Sequence, residues 1–591
     1  MDMTATLRIA FVLSLVLVVA SLGACAPGAS HLVPVAAKGR TPTSTASPRS
    51  LAVRLVLDAR GLHVVVRASS SGSDDDLRVW KLGAAAVTAL EVRDANGGAV
   101  PFEVADRTVT LPRPEASPSI AYDVAPASFR EDPAAAIVEE ARFRGAGESL
   151  FALPKSFESG AFAFALDIDG RAIDAPVVAS SLGAGAGSVH SELRRATADA
   201  VRRVAILGGG GGHVAFDAPE GHDVAAWIGY AAFDPRPMAA EVAVFRGMLR
   251  DHFRSGVADR ATLLLAIDER APRRFRVQRR TGGLFVAASG ADPFDAPLRL
   301  AVAHELVHSW IGDRLWIGDP RPGHEAESIW FHEGYARWTA REQLYRSGLL
   351  SPEEYSAEVN RLLSIVTTSR HARRPLSELV LDARAGVPGI VPLLVARGAL
   401  HATLVDARIR AGSSTSTTPS SGTPASLNDV LRELLREIEV KPHAISDERW
   451  HAALAAQIGP ARERADHEEV IVAGTRVSLP PDALGACFEA HEASYDIFDP
   501  GFDVTASLDE KHVRGIRASG PAAKAGLREG EPLAHVVEPA TPTSKMKVEI
   551  ERDGKSVVVE YRASAGARRG QAFRRRAGLS DDACRKLALR H

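Results

Sequence analysis

The feature that most constrains this chain is an H-E-x-x-H pattern that begins at His304 and ends at His308. On an α-helix, residues four positions apart lie on the same face, so the two histidines can bind one metal ion from adjacent turns. Neutral imidazoles suit Zn²⁺, and a catalytic zinc site keeps one coordination position open for water. Glu305 lies beside the first histidine, where its carboxylate can accept a proton from that water. The pattern therefore predicts a zinc site with Glu305 as its general base.

The surrounding residues predict the helix that this pattern requires. Asp295 suits the N-cap, Pro297 is tolerated in the first turn, and Gly312 is a good terminator. The apolar residues that supply the body of this helix are Leu298, Leu300, Ala301, Leu306, Val307 and Ile311. The alternative is a surface helix that happens to carry two histidines.

Two glutamates compete for the position of third ligand. Glu327 lies eighteen intervening residues beyond His308, whereas Glu333 lies twenty-four beyond it. Counting alone favours Glu327, because eighteen is the spacing in the aminopeptidase N family. The context favours Glu333, because Trp330–Ala336 (WFHEGYA) resembles the W-x-x-E-G-x-A segment that carries the third zinc ligand in such enzymes. We choose Glu333, which leaves Glu327 as a surface charge and His332 as a solvent-exposed or outer residue.

Length and charge limit what the chain can be. Its 591 residues are more than one hydrophobic core organises, so several domains are expected. The formal net charge of −2 gives no sign of a nucleic-acid partner, and none is predicted.

Met1–Ala24 is predicted to be the signal peptide of a lipoprotein. Arg8 gives a weakly positive start and Ile9–Val19 is almost entirely apolar. Leu22–Cys25 (LGAC) resembles a bacterial lipobox, after which the signal is cleaved and the thiol of Cys25 receives a lipid. The rival interpretation is an uncleaved membrane helix, although the apolar run is short for one. We expect an exported bacterial lipoprotein of the cell envelope, anchored in a membrane and facing the periplasm or the exterior.

Composition and hydrophobic pattern divide the rest of the chain. Residues 25–50 are rich in Ala, Pro, Ser and Thr and are expected to form a disordered tether. Residues 51–190 carry short strand-like runs that predict an antiparallel β-sandwich. A mixed α/β region follows over residues 191–345 and a largely helical region over residues 346–480. Gly208–Gly212 is expected to be a flexible connection, since no Lys-Ser/Thr follows to complete a phosphate loop.

The C-terminal part resembles a PDZ domain. Gly520–Gly530 (GPAAKAGLREG) is similar to the signature of bacterial PDZ domains, and Lys547–Tyr561 has the pattern of a hairpin. We expect a PDZ-like domain over residues 484–565 and a tail over residues 566–591. PDZ domains bind peptide ends by adding a strand to a sheet edge. The carboxylate-binding loop of better-known PDZ domains is not evident, so docking of a peptide and docking of the catalytic domain both stay open.

Taken together, these features resemble the glycyl aminopeptidases, which are thermolysin-like gluzincins. His304–Asp313 (HELVHSWIGD) is similar to the H-E-L-x-H-x-W-x-G-N stretch of related zinc peptidases, and Gly398–Arg410 resembles a helix of the family. The resemblance implies a multidomain α+β fold with a β-sandwich, a thermolysin-like catalytic domain, a helical domain and a PDZ-like domain. It implies one Zn²⁺ per chain, bound by His304, His308 and Glu333, and removal of small N-terminal residues from peptides.

One departure from the family concerns substrate binding. The family has a G-G-L-E-H-type strand beside the substrate, and here Gly282, Gly283 and Leu284 keep its first part. Phe285 and Val286 replace the Glu-His pair, so a carboxylate that would bind a substrate ammonium is missing at that place. Endopeptidase action therefore stays open beside aminopeptidase action.

A second departure concerns the oxyanion. Relatives carry a Tyr-x-Lys-Gly tyrosine that donates a hydrogen bond to the tetrahedral oxyanion, and Val395 stands at that position here. Loss of one such donor costs about 2.7–4 kcal/mol of transition-state stabilisation. Arg397 and His401, one turn apart, are candidates for a substitute.

Two hypotheses follow. In the first, the chain is an active zinc metallopeptidase in which Glu305 activates water and returns the proton to the leaving amine. In the second, it binds zinc but is weakly active or inactive and serves as a peptide-binding lipoprotein. Retention of Glu305 favours the first hypothesis, because a purely structural zinc site needs no base.

The cysteines fit an exported protein. With Cys25 assigned to the lipid, Cys487 and Cys584 remain on either side of the PDZ-like segment. In an oxidising compartment they can form a disulfide, and the alternative is two buried thiols.

Overall fold

The computed structural model describes residues 49–589, except for 59–60, 71–76, 114, 116, 128–133, 140–141, 219–220, 255–260, 269–274, 291, 322, 416–425, 441–442, 476–477 and 539–544. The predicted signal peptide Met1–Ala24, the lipidation residue Cys25 and all but the last two residues of the predicted tether lie outside the described residues.

The described residues form two compact units. The N-terminal unit lies within Lys38–Val244 and Ala258–Phe294, and the C-terminal unit within Phe245–Val257 and Asp295–His591. The N-terminal unit is built on β-sheets, whereas the C-terminal unit is mainly helical and ends in a small β-rich module. The predicted multidomain α+β class with a helical part is therefore confirmed.

The strands of the N-terminal unit are β1 (Ser50–Asp58), β2 (Gly61–Ser69), β3 (Val79–Lys81), β4 (Val87–Arg93), β5 (Glu103–Ala105), β6 (Thr108–Thr110), β7 (Ser119–Val124), β8 (Ile137–Glu139), β9 (Arg142–Ala146), β10 (Leu153–Pro154), β11 (Phe162–Asp169), β12 (Val177–Ser180), β13 (Gly183–Gly185), β14 (Ser188–Ala196), β15 (Ala205–Gly209), β16 (Gly211–Ala218), β17 (Gly221–Ile228), β18 (Thr262–Asp268), β19 (Arg276–Arg280) and β20 (Gly283–Ser289). Its short helices are α1 (Gly147–Leu150) and α2 (Ala198–Arg202), with 3₁₀ turns at Lys155–Glu158 and Arg171–Ile173. The sheets have the orders β14-β11-β1-β2-β7-β4, β10-β3-β6-β5, β13-β12-β15-β9-β8 and β16-β17-β18-β20-β19.

Alternation of apolar and polar residues explains the first of these sheets. Along β1 the residues that point into the core are Leu51, Val53, Leu55 and Leu57, and all are buried. With a side-chain period of two, one face of the strand is apolar and packs on the core. The expected antiparallel arrangement holds between β1 and β2, but β1 pairs with β11 in parallel. The strand β11 follows β1 in the chain only after nine other strands. No local sequence pattern predicts that these two distant strands pair.

Gly208–Gly212 lies in the sheets and is not the flexible connection that its composition predicts. Its first two residues end β15 and its last two begin β16. A Cβ on Gly211 would collide with the carbonyl oxygen of Trp227, and one on Gly212 would lie 2.7 Å from the Trp227 ring. Glycine is required here because another backbone and a large ring approach closely.

A long helix, α3 (Pro235–Phe253), enters the C-terminal unit at Phe245. The other helices of that unit are α4 (Ala296–Val307), α5 (Ile329–Arg346), α6 (Pro352–Thr368), α7 (Leu376–Arg384), α8 (Ile390–Thr415), α9 (Leu427–Val440), α10 (Asp447–Ile458), α11 (Pro460–His467), α12 (Val504–Glu510), α13 (Pro521–Lys524) and α14 (Asp581–Leu589), with a 3₁₀ turn at Glu325–Ser328 and a π turn at Glu468–Val472. Its strands are β21 (Phe488–Phe498), β22 (Leu533–Glu538), β23 (Met546–Arg552), β24 (Lys555–Tyr561) and β25 (Ser564–Arg575).

The helix α8 is long and largely apolar. Among the described residues, its segment Ile390–Gly412 alone is long and apolar enough to cross a membrane, and 89% of the relevant window is buried inside the protein. A helix that is apolar on all sides and buried is typical of a protein core.

The C-terminal module packs on α6. The strands β22, β23 and β24 form one sheet with a core of its own, and β21 pairs antiparallel with β25. The side-chain amide of Asn360 on α6 donates to the carbonyl of Phe573 at 2.7 Å and accepts from its backbone N–H at 2.7 Å. The segment 566–591, which was predicted to be a tail, contains most of β25 and the helix α14. A disulfide joins Cys487 to Cys584, as one of the two alternatives for these cysteines predicts.

Candidate metal centre

The helix α4 has the cap that the sequence predicts. The side chain of Asp295 accepts a hydrogen bond from the backbone N–H of Leu298 at 3.3 Å, and Pro297 lies in the first turn. These features define where the helix begins, and they therefore determine which face of the helix each following residue occupies. His304 and His308 consequently lie on one face, one turn apart, and both are buried.

The helix α5 brings Glu333 to these two histidines. Its Oε2 lies 2.9 Å from Nε2 of His304 and 3.5 Å from Nε2 of His308, and the two Nε2 atoms are 3.2 Å apart. Ligands of a tetrahedral zinc ion at about 2.0–2.2 Å lie roughly 3.3–3.6 Å from one another. The three separations are close to this range, so the three donors suit one ion.

A tight loop after α4 orients His308. Its Nδ1 donates to the carbonyl oxygen of Ile311 at 3.0 Å, which leaves the lone pair on Nε2, the atom that faces Glu333. Gly312 has φ of +106°, and a Cβ there would lie 3.1 Å from the His308 Nδ1. Gly312 is therefore needed both for the loop and for the position of this imidazole.

A close helix crossing positions Glu333. A Cβ on Gly334 would lie 2.6 Å from Cα of Gly398 on α8, and a Cβ on Gly398 would collide with the carbonyl oxygen of Trp330. The backbones of α5 and α8 touch at this point, which only glycine permits. Gly334 is therefore required by the close packing of α5 on α8, and this packing determines the position of Glu333 at the metal site.

Burial and the neighbouring side chains set the pKa values of His304 and Glu333. Burial and then the charge of His308 lower the pKa of His304, which favours the neutral imidazole. Burial acts to raise the pKa of Glu333, but the adjacent imidazoles of His308 and His304 outweigh it and hold that pKa well below its usual range. A neutral imidazole beside an ionised carboxylate is the protonation state that a divalent cation requires.

The competing glutamate is elsewhere. Glu327 is about half exposed and accepts a hydrogen bond from Arg384 at 2.8 Å. Its other oxygen lies 3.2 Å from Nδ1 of His324. His332, in contrast, is buried, and its ring centroid lies 3.5 Å from that of Trp316. Of the two positions predicted for His332, the solvent-exposed one is therefore wrong.

The residues predicted to contact substrate have packing roles in the N-terminal unit. Gly282 has φ of +82° and a Cβ there would meet the carbonyl oxygen of Ser181, while one on Gly283 would meet that of Thr262. Leu284 is 3% exposed within β20. These contacts explain why two glycines and a buried leucine occupy these positions. The role of the three residues in substrate binding stays a prediction.

The position of the family tyrosine carries no donor. Val395 is 1% exposed and belongs to an apolar cluster with neighbours on α7 and α8. Arg397 donates to the carbonyl oxygens of Ile471, Ala372 and Arg374, and burial lowers its pKa to about 10. Nδ1 of His401 lies 2.8 Å from the hydroxyl of Tyr335. Both candidate substitutes are thus buried and held by other partners.

The segment that carries this site matches a known protein family. Residues 298–386 match a family model described as M61 glycyl aminopeptidase, a segment that contains His304, Glu305, His308 and Glu333. The predicted resemblance to the glycyl aminopeptidases is confirmed. This match supports the predicted zinc metallopeptidase.

A solved structure shares the fold. The chain is similar to an aminopeptidase N family protein from Idiomarina loihiensis, with a TM-score of 0.64 and 14% identity over 91% of this chain and 100% of that one. An M1 zinc metallopeptidase from Deinococcus radiodurans is 16% identical over 73% of this chain and 95% of that one, with a TM-score of 0.44. No curated protein sequence matches the chain.

Proposed function

We propose that this chain is a zinc metallopeptidase that hydrolyses peptide bonds, with an aminopeptidase-like preference for small N-terminal residues. The observation that carries the proposal is the convergence of His304, His308 and Glu333 within the segment that matches the glycyl aminopeptidases. A site of two imidazoles and one carboxylate leaves a coordination position open for water, as catalytic zinc sites do.

The chemistry is divided between the ion and the chain. Zn²⁺ bound at this centre would supply a Lewis acid for the peptide carbonyl and lower the pKa of a bound water. Glu305 acts as general base, taking a proton from the attacking water and giving it to the leaving amine. It follows His304 on the same helix and is 4% exposed, so competing bulk water is largely excluded from its carboxylate.

A second candidate function is a weakly active or inactive peptide-binding protein. The observation that favours it is Val395, whose buried apolar surroundings provide no hydrogen-bond donor. Such a chain would keep the metal but lack about 2.7–4 kcal/mol of oxyanion stabilisation.

The two functions are separated by one experiment. Purified protein with its bound zinc measured is incubated with peptides that begin with Gly or Ala and with the same peptides blocked at the N-terminus. Glu305→Gln is expected to keep the zinc and lose at least about a hundredfold in kcat, which is typical for removal of a general base. Glu327→Gln is the matched control and is expected to retain activity. Bound zinc with no cleavage of any peptide would favour the binding protein and overturn the peptidase.

We also propose that the chain is a lipoprotein exported to the cell envelope and that its C-terminal module is PDZ-like. The lipobox-like Leu22–Cys25 supports the anchor, with the lipid on Cys25. The signature Gly520–Gly530 and the separate core of β22–β24 support the PDZ-like module, which would dock a peptide or the catalytic domain. The thermolysin-like character of the catalytic domain belongs to the same proposal.

A further inference from the structure

A second group of side chains of the types that bind metal ions lies on α10 and α11. His451 belongs to α10, while Glu463 and His467 belong to α11. One donor atom from each of the three residues lies within 4.8 Å of the others. None of the three residues belongs to the centre formed by α4 and α5.

Local geometry explains how they meet. Glu463 and His467 are four positions apart and therefore lie on one face of α11, with the spacing that the two histidines have on α4. Gly459, with φ of +83°, joins α10 to α11 in a one-residue turn that brings His451 to this face. Nδ1 of His451 lies 2.6 Å from Oε1 of Glu463.

The polar atoms of the cluster are incompletely satisfied. The Glu463 side chain is 7% exposed and its partner His451 is 35% exposed, which leaves a route from solvent to the cluster. Nδ1 of His467 is buried and has no hydrogen-bond partner among the residues that the structure describes. A buried ring nitrogen without a partner is uncommon in proteins, and a bound ion is one of its ordinary explanations.

We propose that His451, Glu463 and His467 form a second binding site for Zn²⁺ or a similar divalent cation. The donors are two imidazoles and one carboxylate, a set that suits zinc and leaves room for a water ligand. Nothing in the proposed peptidase reaction uses these residues.

The site would connect α11 to the helix that carries Glu333. The His467 ring lies 5.4 Å from that of Trp330 on α5, in an edge-to-face arrangement. A cation would fix the His467 ring and clamp α10 to α11 against this part of α5. Its role is therefore structural, and it is independent of whether the chain cleaves peptides.

Zinc stoichiometry of the full-length chain tests the proposal. After dialysis against ZnCl₂ and then against metal-free buffer, the protein is expected to retain two zinc ions, and His451→Ala is expected to retain one. His443→Ala is the matched control, because His443 is similarly exposed and lies 3.6 Å from Glu437. This control is expected to retain both ions. One ion in the unaltered chain, or two ions in His451→Ala, would overturn the proposal.

A variant that lacks the metal centre of α4 and α5 allows zinc binding at the proposed second site to be measured by itself. In the double variant His304→Ala with His308→Ala, titration with ZnCl₂ is expected to show one site and to raise the melting temperature. Adding Glu463→Gln, which keeps the size of the side chain, is expected to weaken binding more than tenfold, because even groups outside the ligand shell contribute about 10–100-fold. A double variant that binds no zinc but melts cooperatively would overturn the second site and leave the proposed peptidase untouched.

Discussion

Gly312 shows how a single residue controls the metal centre. It allows the loop that presents the Ile311 carbonyl to His308, and its missing Cβ makes room for the imidazole. The hydrogen bond on one ring nitrogen decides which nitrogen faces the metal. A residue without any side chain therefore sets the orientation of a ligand.

Gly312→Ala is expected to weaken zinc binding about 10–100-fold, the range observed when a group that orients a ligand is removed. The new Cβ would lie only 3.1 Å from Nδ1 of His308, so the imidazole must shift and its hydrogen bond to the Ile311 carbonyl is weakened. Zinc affinity measured by competition with a chelator checks this. Gly323→Ala is the control, because Gly323 also has positive φ, at +93°, but its Cβ would meet no atom within 4 Å. Equal weakening in both variants would point to general backbone strain instead.

A buried histidine predicts how stability responds to acid. Burial and then the positive charge of Arg432 lower the pKa of His252 to about 4, while Asn428 and Asp429 act in the opposite direction. The unfolded chain binds this proton near pH 6.5, so the stability contribution is complete above that pH and is lost as the pH falls towards 4.

His252→Gln is therefore expected to lose less stability than the unaltered chain between pH 7 and pH 4, by on the order of 2 kcal/mol. Urea unfolding at several pH values measures this. His443→Gln, at a partly exposed histidine, is the control for the replacement of a histidine by glutamine. An identical slope in His252→Gln and the unaltered chain would contradict the assignment.

At the scale of helices and strands, glycines mark the places where backbones meet. Gly334 and Gly398 let α5 and α8 touch, and Gly211 and Gly212 let β16 lie against Trp227. In each case the sequence shows only a small residue, and the reason for it lies in another element. The E-G-x-A pattern around Glu333 is thus partly a packing pattern.

Gly334→Ala is expected to destabilise the protein by about 1–3 kcal/mol, because an added carbon must push two backbones apart. The shift of α5 also moves Glu333, so zinc affinity is expected to fall with stability. Gly412→Ala is the control on α8, since a Cβ there meets no atom within 4 Å. It is expected to be neutral or slightly stabilising, because alanine favours a helix over glycine. Thermal unfolding and zinc titration of both variants measure these effects. If Gly334→Ala keeps its stability and its zinc affinity, the close helix crossing does not position Glu333.

At the scale of the whole molecule, the chain after the PDZ-like signature folds back on the helical part. The strand β25 pairs with β21 and is held to α6 through Asn360. The disulfide between Cys487 and Cys584 closes a loop with a sequence separation of 97 residues and joins α14 to the start of β21.

The double variant Cys487→Ser with Cys584→Ser is expected to be less stable by about 2–5 kcal/mol, since the unfolded chain regains the freedom of a long loop. Chemical unfolding without reductant measures the difference. Reductant is expected to destabilise the unaltered chain by a similar amount and to leave the double variant unchanged. Equal stability of the two proteins without reductant would contradict a formed disulfide.

Local chemistry made part of the site predictable. The H-E-x-x-H spacing and the Asp295 cap act within a few residues, and helix geometry alone places His304 and His308 on one face. The alternating residues of β1 similarly predict a strand with one buried face. Such features follow from the sequence because the atoms involved are close along the chain.

Only the tertiary structure decided which distant residues meet. Spacing alone favoured Glu327 and the sequence context favoured Glu333, and the path of the chain between α4 and α5 puts Glu333 beside the two histidines. The approach of His451 to Glu463, the parallel pairing of β1 with β11 and the pairing of β25 with β21 likewise join residues that are distant along the chain. A sequence fixes the conformation of neighbours through their dihedral angles, whereas contacts across many residues depend on how all elements pack together at once.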